Sequence, residues 1–279
     1  MPSSHPKTTH TKRIQIHDSD GWTHIATTTT SSSSGRRTKK KRGKPRPHHF
    51  PHVQDLLIPA EAPHDLTPKK LKRDFEWHKQ RWEASESWSA LRQALDSSGL
   101  DGGGGGGVVR GVKVDTCVCV GLGSLSGLLR GGWVDRRSVS LDQLAALVCL
   151  VEYLCVSSAT TLKCYAQDPV FNALDKQLLE SLGFTVVEHP AAFELVNERT
   201  FLYCPGAERS HLVDILPSNP ILFFGGPLES EPAPVVVGEG EGEVLASFLE
   251  TRRSMRLPPF EPNEHAFWKT GLFWKADGP

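Results

Sequence analysis

Apolar positions recur along this chain in two rhythms, and the change between them divides it. From residue 67 the rhythm is helical. Leu71, Phe75, His78 and Trp82 follow one another at steps of four, three and four, and Ala84, Trp88, Leu91 and Leu95 carry a second stripe displaced around the axis. Such spacing predicts one long helix or two short ones laying an aromatic face on the body behind. Thr67-Pro68 opens it, with Thr as N-cap and Pro in the first turn.

From Val112 the rhythm changes to short apolar runs alternating with helical stretches. Strands are predicted at Val114 to Val120, Leu162 to Ala166, Phe184 to Val187, Thr200 to Cys204 and Ile221 to Phe224. Between them, Ser140 to Gln143 has the spacing of a capping box for a helix reaching about Val156. Asp168-Pro169 is expected to cap a helix with Phe171, Leu174, Leu178 and Leu182 on one face, closed by Gly183. Shorter helices are expected near Ala191 to Val196 and Glu208 to Leu216, and a last one from Glu243 to Arg253. The aromatic tail HAFWKTGLFWK supplies a candidate edge strand. The fold class expected is α/β: a Rossmann-like, mostly parallel sheet covered by helices on both faces, preceded by a disordered basic N-terminal arm.

The boundaries follow from texture. Residues 1–50 form the arm and 51–66 a linker; 67–95 form the docking helical segment, 96–111 a glycine-rich flexible linker, and 112–279 the domain. TTTTSSSSGRRTKKKRGKPRPHH offers no apolar face that could offset its ordering entropy. The chain carries 32 basic and 32 acidic residues, but residues 1–47 hold 11 Lys or Arg against 2 Asp, so a basic arm precedes a mildly acidic body. Lys39, Lys40, Lys41 and Arg42 centre a run that suits an acidic groove on an import receptor, weak contact with nucleic-acid phosphates, or simple solvation. No apolar run is expected to approach the roughly 18 residues of a membrane span, and MPSSHPKTTH lacks a signal-peptide core. The expectation is a soluble protein in cytoplasm and/or nucleus. The six cysteines lie in or beside apolar segments without a C-x-x-C pair, as reduced core residues do. Cys117 and Cys119 alternate along a strand, so a metal half-site is the competing reading.

Candidate chemistry gathers after the strands. If the strands are parallel, Gly121, Gly123, Ser124, Asp168, Gly206, Gly225 and Gly226 line one rim, where such sheets bind ligands. The dinucleotide fingerprint fits badly, because Ser126 stands where its third glycine belongs. S-adenosylmethionine or another nucleotide-type ligand, with Asp168 on the ribose, is the alternative; Asp168 also reads as a plain N-cap. No phosphate-binding loop with Lys-Ser or Lys-Thr is present, and His189, His211 and His265 assemble no triad from spacing. Glu239, Glu241 and Glu243 read as a solvated loop.

VCVGLGSLS, LDQLAALVCL, YAQDPVFNALDKQLLESLGFTVV, TFLYCPGAERSHLVDIL and ILFFGG, in that order and spacing, resemble the sensitivity-to-red-light-reduced (SRR-like) domain family over residues 112 to about 228. ESWSALRQAL resembles the segment preceding that domain. The resemblance implies a Rossmann-like fold without established catalysis, in intracellular regulators linked to circadian and light signalling, growth, stress and haem metabolism. Two stretches depart from it. Cys204 to Ala207 stands where the family carries Met-Pro-His-Cys, and Gly225 to Leu228 where it carries Gly-Asn-Ser-Phe. The expectation is a non-catalytic regulatory protein with protein partners and no cofactor. Its alternatives are a nucleotide-type ligand binder or methyltransferase-like enzyme, and nucleic-acid binding through the arm.

Overall fold

The computed structural model describes residues 10–17, 23–30, 59–97, 114–128, 135–158, 161–228 and 241–275. Within the expected arm, strands β1 (His10–His17) and β2 (Thr23–Thr30) pair antiparallel, His10 opposite Thr30. They make a two-stranded sheet separate from the main one. Two strands alone are marginal in water. Lys39 to Arg42, the six-glycine run, Gly131 to Trp133 and Glu239 lie outside the described residues.

The two aromatic stripes belong to two helices, α1 (Pro68–Glu83) and α2 (Glu86–Ser97). Thr67 caps α1 by accepting from the Lys70 amide at 3.3 Å. Leu71, Phe75, His78 and Trp82 are buried as their spacing required, as are Leu91 and Leu95; Ala84 sits exposed at the break between the helices.

The body follows as β3 (Thr116–Val120), α3 (Arg137–Ser158), β4 (Lys163–Gln167), α4 (Ala173–Ser181), β5 (Phe184–Val186), α5 (Ala191–Glu194), β6 (Thr200–Cys204), α6 (Arg209–Ile215), β7 (Leu222–Gly225), α7 (Glu241–Glu250), β8 (Arg252–Arg256) and β9 (Gly271–Lys275). The main sheet runs β5-β4-β3-β6-β7-β9-β8. Its first five strands are parallel, and β9 is antiparallel to both β7 and β8. Side chains alternate across it. Cys117, Cys119, Phe201, Tyr203, Leu222 and Phe224 join one core with α1 to α4. Val118, Val120, Leu202, Cys204 and Phe223 join the other with α5 to α7. Period-two burial on both faces is why the strands read as continuous apolar runs.

Four expectations need correction. Helix α3 starts at Arg137, so Ser140 to Gln143 is not its cap; Asp142 and Gln143 point inward to buried partners, Gln143 donating to the Ala266 carbonyl at 2.8 Å. Helix α4 is capped by Asn172 rather than Asp168. The last helix stops at Glu250, and Arg252–Arg256 makes the sheet edge, so the tail strand β9 lies inside the sheet. The polar string RRSMR hid that strand. Finally, α3 is long and apolar enough to cross a membrane, with mean hydropathy 1.8 over Arg137–Val156. Asp142 and Gln143 interrupt the run without lowering the average much. Within this fold 67% of that stretch is buried, as in a core helix.

Candidate functional site

The strand order reverses at β3. The chain moves outward from β3 to β4 and β5, then returns past β3 to β6 on its other side. In open parallel sheets that reversal leaves a crevice beyond the strand ends. Here the backbones of the β3 and β6 turns approach closely across it. A Cβ on Gly121 would stand 2.6 Å from the Ala207 amide nitrogen, and one on Gly206 would stand 2.6 Å from the Gly121 carbonyl oxygen. Gly121 and Gly123 also have φ of +75° and +76°, a region costly for other residues. One strand over, a Cβ on Gly225 would meet the Cys204 carbonyl oxygen at 2.6 Å. All four turns expected at one edge lie at the carboxyl ends of the parallel strands, and those after β3 and β6 touch each other.

The turn after β3 does gather amides around a negative charge, and the charge is the protein's own. The Asp175 carboxylate, wholly buried on α4, accepts from the Leu125 amide at 3.1 Å, the Ser126 amide at 2.8 Å and the Ser126 hydroxyl at 2.6 Å. Its other oxygen takes the Ser124 hydroxyl at 2.6 Å and the Asn172 amide at 3.0 Å. The Gly127 amide is satisfied by Ser124 Oγ at 2.8 Å. Such a ring of donors has the form of an anion-binding nest; an aspartate fills it. Asp168 does the same for the next amide, taking Gly123 N–H at 2.7 Å on one oxygen and Val170 N–H at 3.1 Å on the other. Burial pushes the Asp168 carboxyl up, opposed by those two amides. Asp168 thus ties two loops together instead of starting a helix.

Apolar periodicity passes over Asp175, a polar position between Leu174 and Leu178 on α4. Its signal was Asn172-x-x-Asp175, the spacing of a capping box, which the structure forms. His189 and His211 were seen but assembled nothing. Their rings lie 6.3 Å apart, with Phe193 against both. His189 Nδ1 is 3.2 Å from Gln167 Nε2, and His211 is near enough to Asp168 to favour its charged form.

The profile of the SRR1 domain matches residues 91–274. The chain belongs to the SRR1 domain family. No curated protein matches it. The SRR1 domain match opens at Leu91 in α2 and closes at Trp274 in β9, so it takes in the whole main sheet and its rim, while α1 lies before it.

Within the SRR1 domain, burial pushes the Cys117, Cys119 and Cys204 thiols up, which opposes the thiolate a metal half-site needs. All six cysteines are free. Glu83, Cys149 and Glu152 bring ligand atoms within 4.8 Å of one another. The Lys79 ammonium bridges the two carboxylates, at 2.7 Å from Glu83 and 3.0 Å from Glu152, and supplies the positive charge there.

The close backbone approach at the switch point makes a direct prediction for the SRR1 domain. Gly121→Ala combines an unfavourable φ with a backbone clash, and is expected to cost about 3 kcal/mol, read as a lower urea midpoint. Gly183→Ala also has positive φ, at +86°, but meets open space; it should cost roughly half as much.

Proposed function

We propose that this SRR1 domain protein is a non-catalytic intracellular regulator that acts through protein partners. One observation carries the reading: the anion nest after β3 is filled by Asp175. A dinucleotide or S-adenosylmethionine at the same turn would have to displace a buried carboxylate that five donors hold. Backbone contact between Gly121 and Gly206–Ala207 further narrows the place where its body would lie. Residence in cytoplasm and/or nucleus, with Lys39 to Arg42 read by an import receptor, belongs to the same proposal and rests on the sequence.

A thermal-shift series with S-adenosylmethionine and NAD separates this reading from a nucleotide-binding one. The expected result is an unchanged melting temperature. Ligand at 100 times its dissociation constant would add about 2.7 kcal/mol, roughly 5–10 °C for a domain of this size. A saturable rise of that order overturns the proposal.

A further inference from the structure

A second site lies away from the rim, where α1 meets the start of α3. A cavity of about 370 Å³ opens there, walled by Leu66, Leu71, Trp77 and Leu141, with Asp74 and His78 also lining it. His78 is buried, and its Nδ1 lies 2.6 Å from Asp142 Oδ1. Asp142 is fully buried and takes two further bonds from Arg81, at 2.6 and 2.8 Å, and one from Asn263 at 2.8 Å. A carboxylate bound by a guanidinium is an anion and only accepts. At 2.6 Å from it, Nδ1 must carry the hydrogen; the 3.3 Å approach of Arg81 to Nδ1 is too long to compete. In the neutral ring the lone pair therefore sits on Nε2, on a ring that lines the cavity.

The charges around the opening fix the sign of what fits. Arg137 is spent on Asp135, through bonds of 2.9 and 2.6 Å. Asp74, half exposed, lies 3.9 Å from the outlying Arg73 and within electrostatic reach of Arg137, so two carboxylates, Asp74 and Asp135, share that guanidinium at the opening. The cavity thus combines an acceptor nitrogen, two carboxylates against one guanidinium, and an apolar wall with an aromatic edge at Trp77, which is 55% exposed. We propose that it binds small primary ammonium compounds with an apolar body, the ammonium shared between His78 Nε2 and Asp74. This site does not depend on the reading of the rim.

The test uses the full chain with ¹⁵N-labelled histidine and phenethylamine as the probe. The His78 ring signals are identified by their loss in His78→Gln. The expected spectrum has the hydrogen on Nδ1, and titration moves the Nε2 resonance saturably. Asp74→Asn, a surface change that leaves the core intact, should weaken the probe about fivefold, and phenethyl alcohol should bind more weakly than the amine. A hydrogen on Nε2 in the free protein overturns the proposal. So does an Nε2 resonance that stays still up to about 10 mM probe, or equal affinity in Asp74→Asn.

Discussion

Asp175→Ala is expected to lower the unfolding free energy by about 4 kcal/mol, a large share of the 5–15 kcal/mol that holds a domain together. The substitution removes no great apolar area. Its cost comes from what remains: the Leu125, Ser126 and Asn172 amides and the Ser124 and Ser126 hydroxyls lose their common acceptor in a place water does not reach. Buried donors without partners carry a desolvation penalty of roughly 1–3 kcal/mol each before the loop relaxes. Asp175→Asn keeps an acceptor oxygen but turns an amide group toward a donor, so about 2–3 kcal/mol is expected. Urea unfolding of the two variants checks the order. If alanine and asparagine cost the same small amount, the carboxylate does not hold the loop, and the argument that the nest is occupied from within fails with it.

The central parallel strands β3, β6 and β7 were legible because each is buried on both faces, and Thr200–Cys204 matches its predicted bounds. The meeting of Gly121, Asp168, Gly206 and Gly225 at one edge followed from topology alone. What the edge does was not legible. Whether an amide-rich turn is open or filled depends on a side chain 50 residues further along, and spacing carries no information about that reach. The misread caps have the same origin. Ser140 to Gln143 and Asp168-Pro169 both have the right letters for a helix start. Tertiary partners took them instead: Arg81, His78 and Asn263 for Asp142, Ala266 for Gln143, and the Gly123 amide for Asp168. Local polar patterns predict caps only where nothing distant needs the polar group more.

The last prediction concerns how much of the chain the folded unit requires. The SRR1 match begins at Leu91, yet Asp142 on α3 is neutralised by Arg81 on α1, ahead of it. Arg81→Met is expected to cost about 3–5 kcal/mol, because it strips the buried Asp142 carboxylate of its guanidinium and leaves only the His78 ring, 2.6 Å away, to take up a compensating proton. Packing lost from the guanidinium, which lies 4.4 Å from the Trp77 ring centre and 5.5 Å from that of Phe260, adds little to this. The double variant Arg81→Met with Asp142→Leu removes the stranded charge and should recover about 1–3 kcal/mol of the loss. Chemical denaturation of the two singles and the double gives the coupling directly. Deleting residues before Leu91 should act like Arg81→Met and more, since it also uncovers the faces of α3 that Leu71, Phe75 and Trp82 bury. Purely additive singles, or a chain starting at Leu91 as stable as the full one, would show that α1 merely rests on the domain rather than completing it.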